Sequence, residues 1–243
     1  MIKFYLNSLK GYARKTAFLV LDNKLCRCIK NIDTERNYLV KLFTQINMTS
    51  ATRILDVGCG YGKNMILLKS LGFNALGVDI NEGIVQKNIE RGLNSITLER
   101  FKNTGGIYDV IIMSHIIEHF NPVDLLEFMD FYLSHLENGG YLIIATPLQS
   151  PYFYDDFDHI KPYHPSGFTA VFGGNSAQVQ FYSKNTLKLV KLFYRRGQLR
   201  FKTNPMRNGG ILLISELIFA IVYWVSFGII ARIDGWVGLF KKV

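Results

Sequence analysis

Cysteine is scarce in this sequence of 243 residues: Cys26, Cys28 and Cys59 are an odd number, and no second cysteine pair completes a metal-site spacing. Neither a disulfide framework nor a structural zinc site is expected, and a reducing compartment fits best. The chain has no internal repeat and no low-complexity tract, so solenoid and disordered architectures are excluded. Its first residues are basic, but no small-residue cleavage site follows a clean apolar segment, which argues against a secretory leader. Acidic side chains are missing altogether from residues 184–208, which carry eight Lys or Arg.

What is present is apolar and unevenly charged. Hydrophobic residues make up 49% of the chain, enough for one sizeable core with embellishments. The net charge of +9 belongs to the flanks: residues 1–50 hold nine basic against three acidic side chains, whereas residues 51–183 hold eight against fourteen. Basic flanks of this kind suit an anionic membrane surface or nucleic acid, or are simply solvated helical faces.

Short β-branched runs at Arg53–Val57, Ala75–Val78, Asp109–Met113 and Tyr141–Ala145 alternate with helix-patterned segments at Lys63–Leu71, Asn81–Arg91 and Pro122–Leu136. That alternation predicts an α/β fold with a parallel sheet. Asn121-Pro122 reads as an N-cap followed by proline at the first helical position, and Glu137-Asn138-Gly139-Gly140 as a helix stop turning into the next strand. Four regions follow: a basic helical segment at 1–50, the core at 51–147, a lid and end of sheet at 148–210, and a hydrophobic segment at 211–243.

Between the first strand and first core helix the sequence reads Gly58-Cys59-Gly60-Tyr61-Gly62. Glycine there permits positive φ and lets a ligand approach the backbone, at the strand ends where open α/β sheets bind nucleotide-like molecules. The spacing is G-x-G-x-G and not the dinucleotide G-x-G-x-x-G, and no phosphate-binding Lys-Ser/Thr follows. A ligand with a compact amino-acid head group therefore fits better than a pyrophosphate, and a dehydrogenase is disfavoured. Asp79, at the tip of the second strand, is placed to accept hydrogen bonds from ribose hydroxyls, or else to cap the helix near Asn81. Asp56 sits inside an apolar strand, where a carboxylate needs donors such as a ligand ammonium or the glycine-turn amides.

Taken together, "LDVGCGYG", "GVDI", "YDVIIMSHIIEHF" and "LENGGYLIIATP" resemble, in order and spacing, the class I S-adenosylmethionine-dependent methyltransferases. The resemblance covers about residues 50–147, and the "SHIIEHF" style places the chain near the ubiquinone-biosynthesis and glycan-cluster O-methyltransferases. It implies a Rossmann-like sheet with helices on both faces and S-adenosyl-L-methionine as cofactor. It further implies that Gly58, Gly60 and Gly62 line the methionine and ribose portion, Asp56 sits beneath the ammonium and Asp79 holds the ribose, with Cys59, Ile80 and Ser114 beside them. The usual acidic or amide partner for adenine is not evident; Glu99 is the nearest candidate. Asp109 reads as structural, at the start of the fourth strand.

The chemistry such a site performs is an in-line displacement at a sulfonium methyl, helped by a base of pKa near 7 when the acceptor is a hydroxyl. His115, after the fourth strand, is the preferred base; His119 lies one helical turn further, and His159, in the aromatic and acidic loop after Pro147, is a second acid/base or gating group. Glu118-His119 could hold a divalent metal with another carboxylate, as the quinone-pathway resemblance allows, but two adjacent ligands do not make a site and no metal is assigned.

The expected activity is O-methylation of a glycan or lipid-linked small-molecule hydroxyl. The alternatives are a quinone-type phenol as acceptor, or a cofactor-binding scaffold subunit without turnover. Nucleic acid is not expected as acceptor, because the place of an N-P-P-[YW]-like tetrapeptide reads "SHII". Residues 211–231, "ILLISELIFAIVYWVSFGIIA", have the length of a membrane span but contain Glu216, and the tail "ARIDGWVGLFKKV" has the make-up of an interfacial helix. Together with the basic block at 184–208 they predict a cytoplasmic protein docked on the cytoplasmic face of a membrane, against the other reading of 211–231 as a buried cap helix. Oligomeric state has no signature in the sequence.

Overall fold

A computed structural model of the chain describes residues 34–150, 152–174, 180–197, 199, 209–226 and 229–243. Cys26, Cys28 and most of the basic segment 1–50 lie outside the described residues, as does the basic block beyond Gly197 apart from residue 199.

The strands are β1 (Ile54–Val57), β2 (Ala75–Asp79), β3 (Ser95–Thr97), β4 (Tyr108–Ser114), β5 (Leu136–Pro147), β6 (Leu187–Gly197) and β7 (Arg232–Lys242). The helices are α1 (Thr34–Gln45), α2 (Lys63–Ser70), α3 (Glu82–Glu90), α4 (Leu98–Thr104), α5 (Pro122–Ser134), α6 (Pro165–Phe172) and α7 (Gly209–Val225). The strands form one sheet in the order β3-β2-β1-β4-β5-β7-β6. β1 to β5 are parallel, and β7 runs antiparallel to β5.

The apolar strand sequences have a direct cause: the central strands are buried on both faces, so both sets of alternate side chains are hydrophobic. Leu55, Val57, Ile111, Met113, Leu142 and Ile144 enter one core with α5 and α6 residues such as Leu125, Met129 and Phe168. Their neighbours Ile54, Val110, Ile112, Ile143 and Ala145 enter a second core with Leu39 and Leu42 of α1 and Met65 and Leu68 of α2. The parallel sheet follows the alternation, and helices lie on both of its faces, as the family resemblance implied.

Two expectations are corrected. The tail from residue 231 is not an interfacial helix: Arg232–Lys242 is β7, inserted between β5 and β6, with Trp236 and Phe240 buried in one core and Val237 and Leu239 in the other. A run of aromatic and aliphatic residues with terminal lysines is ambiguous by composition, and the β5 edge, open to receive it, settles its conformation. The boundary at 211–243 is therefore misplaced, since the sheet unit comprises Asn37–Gly197 and Ile233–Val243, whereas α7 belongs to a second compact unit. The helix stop also lies earlier than expected, at His135. β5 begins at Leu136, and the four residues Glu137–Gly140 bulge out between the pairs Tyr108–Leu136 and Val110–Tyr141.

Candidate functional site

The glycine turn leaves β1 at its carboxyl end. Gly58, Gly60 and Gly62 have φ of +62°, +49° and +74°, left-handed values that other residues adopt at a cost, and a Cβ on Gly58 would collide with Ile116. A Cβ on Gly60 would meet open space, so that residue's backbone faces the crevice. The turn is tied down from below: Cys59 N–H donates to Val78 O (3.0 Å), Gly60 N–H to Asp79 Oδ2 (2.9 Å), and Asn88 Nδ2 to Gly60 O (2.7 Å). The Cys59 thiol turns inward to Ser95 Oγ (3.5 Å) and Asn88, and burial pushes it up to about 11. Cys59 thus offers the crevice only its backbone.

Asp56 is buried on β1, with Oδ1 accepting from Asn64 Nδ2 (3.2 Å) and Oδ2 without a partner. Burial pushes its carboxyl up to about 7, the Asn64 bond opposing and the Asp79 charge adding to the shift. An orphaned buried acceptor beside left-handed glycines fits a cationic head group, because an ammonium would satisfy the oxygen and neutralise its charge. Asp79 accepts from Asn81 N–H (2.9 Å) through Oδ1 as well as from Gly60. The α3 cap is Asn81, whose Oδ1 accepts from Ile84 N–H (3.2 Å), so Asp79 is not itself the cap. Each Asp79 oxygen keeps a second lone pair for a diol. Ile80 is 82% exposed next to it. Glu99 is exposed in the first turn of α4, and Asp109 is structural, accepting from the Arg53 backbone N–H (2.8 Å) and guanidinium (2.7 Å).

At the end of β4 the backbone turns sharply. Ser114 pairs with Ala145, and His115 takes φ of +57°, unusual for a residue with a Cβ, while its N–H donates to Ala145 O (2.7 Å). Its imidazole Nδ1 lies 3.2 Å from Oε1 of Glu118, which is fully buried; the contact is at ion-pair distance but off hydrogen-bond angles. Glu118 Oε2 accepts from Thr146 Oγ1 (2.9 Å), and Glu118 O accepts from the backbone N–H groups of Ile160 (2.9 Å) and Lys161 (3.1 Å). On its other side His115 Nε2 meets Arg195 Nη1 at 3.2 Å, and Arg195 Nε donates to Asp234 Oδ1 at 2.9 Å. The guanidinium can only donate, so Nε2 accepts and the proton of the neutral ring sits on Nδ1, at ion-pair distance from Glu118.

The three predicted histidines converge on Glu118. The His119 and His159 rings meet edge to face at 5.0 Å, with His119 Nδ1 bonded to Asp158 O (3.0 Å) and His159 Nδ1 to Phe153 O (2.7 Å). With a backbone carbonyl on each Nδ1, the Nε2 atoms are the nitrogens open to a metal, as in many metal-binding histidines, although His159 Nε2 also lies 3.6 Å from Asp156 Oδ2. Among the described residues Glu118, His119 and His159 form one group able to hold a metal ion, with one ligand atom from each within 4.8 Å of the others. The third member of that group is His159, where the sequence suggested another carboxylate. No metal is assigned from sequence because His159 lies forty residues from its neighbours in space.

Sequence reasoning also misses Asn64, Thr146, Arg195 and Asp234. The helix-facing position of Asn64, eight residues after Asp56, is a signal that could identify it. Arg195 stands in a block whose basic residues look alike in sequence, and only the β6–β7 neighbourhood singles it out.

A family model described as a methyltransferase domain matches residues 16–190. A ubiquinone biosynthesis O-methyltransferase of Rickettsia canadensis (strain McKiel) is 31% identical over 137 residues, covering 51% of this chain and 55% of its own length. One of Rickettsia bellii (strain OSU 85-389) is 34% identical over 122 residues, covering 45% and 48%. The chain spans about half the length of these curated relatives. Among solved structures, a SAM-dependent methyltransferase of Archaeoglobus fulgidus superposes with a TM-score of 0.56 at 22% identity, over 90% of this chain and all of that one. Magnesium protoporphyrin IX methyltransferase from Synechocystis, solved with bound SAH, gives 0.57 at 11% identity over 98% and 99%. At those identities the likeness is one of fold.

Proposed function

The chain belongs to the methyltransferase-domain family, of the class I S-adenosylmethionine-dependent architecture, and from that membership we propose that it methylates a hydroxyl of a glycan or lipid-linked small molecule. The observation that carries the hydroxyl reading is His115, clamped at the end of β4 between buried Glu118 and Arg195. S-adenosylmethionine, when bound, supplies an electrophilic methyl group on a sulfonium. Asp56 holds the cofactor's ammonium, the amides around Gly58 to Gly62 follow its backbone, and Asp79 takes the ribose. His115 receives the acceptor's proton on Nε2, the hydroxyl entering where Arg195 Nη1 now lies, and Glu118 stabilises the imidazolium that forms. Arg195, held by Asp234, is left to face the developing oxygen charge. A quinone-type phenol is the second reading, supported by the names of the ubiquinone biosynthesis relatives. The test is calorimetry with S-adenosylhomocysteine, then incubation of cell extract with methyl-labelled cofactor and location of the label in lipid, glycan or quinone fractions. No binding by the intact protein overturns the reading.

The same proposal places the protein on a membrane surface. Among the described residues no helix is long and apolar enough to cross a bilayer. α7 has 17 residues, and Ile218, Ile221, Trp224 and Val225 are exposed along it at near-helical spacing, followed by exposed Ile229 and Ile230. A helix with an apolar face next in sequence to a cationic block suits an anionic lipid interface. Because β7 is a core strand, truncation after residue 208 would destroy the sheet. The test is vesicle co-sedimentation of Ile221→Glu/Trp224→Glu, which should release the protein from anionic vesicles; equal sedimentation by both proteins, or none by either, rejects membrane docking.

A further inference from the structure

A cavity of about 330 Å³ lies apart from the glycine crevice, between the start of α5, the segment Lys161–His164 and α6. Its walls are apolar, with Leu125, Phe168 and Phe172 among them. Two cationic or hydrogen-bonding side chains, Lys161 and His164, stand among the lining residues. Lys161 Nζ lies 5.5 Å from the Tyr163 ring centroid and forms no ion pair among the described residues. His164 caps α6, its Nδ1 taking both Ser166 Oγ (2.7 Å) and the Ser166 N–H (3.3 Å), so Nε2 is the nitrogen that can donate to a ligand. Gly167, on the first turn of α6, also lines the cavity, and a Cβ there would meet nothing within 4 Å. A side chain at this exposed position would thus project into open space beside the cavity without a collision.

We propose that this cavity binds a single-chain amphiphile, its hydrocarbon chain between α5 and α6 and its anionic head, a phosphate or carboxylate, at Lys161 and His164. A partly open cavity with apolar walls and two exposed donors, Lys161 and His164, in its lining suits an amphiphile: the chain covers the Phe and Leu surface and the anionic head meets the donors at the solvent side. Lys161 ties the cavity to the methyl-transfer site, since its backbone N–H donates to Glu118 O while the Glu118 side chain faces His115. Binding itself does not depend on the methyl-transfer reading.

The experiment is calorimetry of the full chain with dodecyl phosphate, dodecanol and inorganic phosphate, each below micelle formation, with S-adenosylhomocysteine titrated into every variant as a check on the glycine crevice. Dodecyl phosphate binds the wild type and inorganic phosphate does not. Gly167→Leu, which fills the space without a collision, weakens dodecyl phosphate by about tenfold or more. Lys161→Gln weakens dodecyl phosphate but leaves dodecanol unchanged. Absence of dodecyl phosphate binding, equal binding by Gly167→Leu, or equal loss of both amphiphiles in Lys161→Gln overturns the proposal. Failure of S-adenosylhomocysteine to bind the wild type would count against the proposed function and not against this cavity.

Discussion

His115 Nε2 and Arg195 Nη1 lie 3.2 Å apart although eighty positions separate them in the chain. The contact joins the turn after β4 to β6 at the far side of β7, so the proposed base is positioned by a strand that the glycine-turn motifs never reach. An arginine donating to one nitrogen and a carboxylate beside the other leave a single neutral tautomer whose free pair points at the guanidinium.

Replacing His115 tests that assignment. Because φ is +57°, Asn is the better replacement, being at ease in the left-handed region where Ala is strained. His115→Asn should lower kcat by about 10²–10⁴ with S-adenosylhomocysteine affinity unchanged in calorimetry. Ordinary turnover would return His115 to a packing role.

If Arg195 acts through His115 and the acceptor oxygen, its loss and that of His115 are not additive. Arg195→Gln alone should reduce kcat, but in the His115→Asn background it should cost much less. Fully additive losses in the four-member cycle would separate the two residues.

Asp56 makes cofactor affinity pH-dependent. Its carboxyl, pushed up to about 7 by burial, must ionise to pair with an ammonium, so affinity should rise with pH up to about 7 and level off above. Below that value it should fall by up to about tenfold per pH unit. Asp56→Asn should weaken binding at pH 8 and flatten the profile. The same substitution should raise Tm without cofactor. A folded carboxyl with a raised pKa destabilises increasingly from about pH 4 to about 7 and by a constant amount above, so the gain is absent near pH 4 and complete at pH 8. A wild type more stable than the variant at pH 8 would overturn the assignment of an unpaired charge.

Asp79→Ala should weaken S-adenosylhomocysteine by about 1.5–3 kcal/mol, the range for hydrogen bonds to a charged group. Part of that loss comes from Gly60 N–H, which loses its acceptor. A truncated ligand lacking the ribose hydroxyls separates the parts: it should bind the wild type and Asp79→Ala with a smaller difference.

Glu118, His119 and His159 should bind a divalent ion. Zn²⁺ or Mn²⁺ should raise the Tm of the wild type, and His159→Ala should remove the rise while keeping S-adenosylhomocysteine affinity. The same rise in the variant would place the ion elsewhere.

Much of this protein is determined locally. The apolar runs define β1, β2, β4 and β5, because central strands buried on both faces carry hydrophobic residues at most positions, whereas β3, Ser95-Ile96-Thr97, is short and has two hydroxyl side chains and no such run; Asn121-Pro122 opens α5 as expected because the Asn121 Oδ1 accepts from Val123 and Asp124 N–H. Gly58, Gly60 and Gly62 are legible because the left-handed turn after β1 requires glycine, and Asp56, Asp79 and His115 stand out as polar residues at the ends of otherwise apolar strands. What the tertiary structure alone decides depends on distant partners. Arg232–Lys242 becomes a strand and not a surface helix because β5 leaves an open edge beside it. His159 joins Glu118 and His119 because Ile160 and Lys161 are hydrogen-bonded to Glu118 O. Arg195 differs from the other basic residues around it only through Asp234 and His115. Composition and period specify an element's kind and exposed face, whereas pairing across forty or eighty residues is selected by which edges and buried charges remain unsatisfied once those elements have packed.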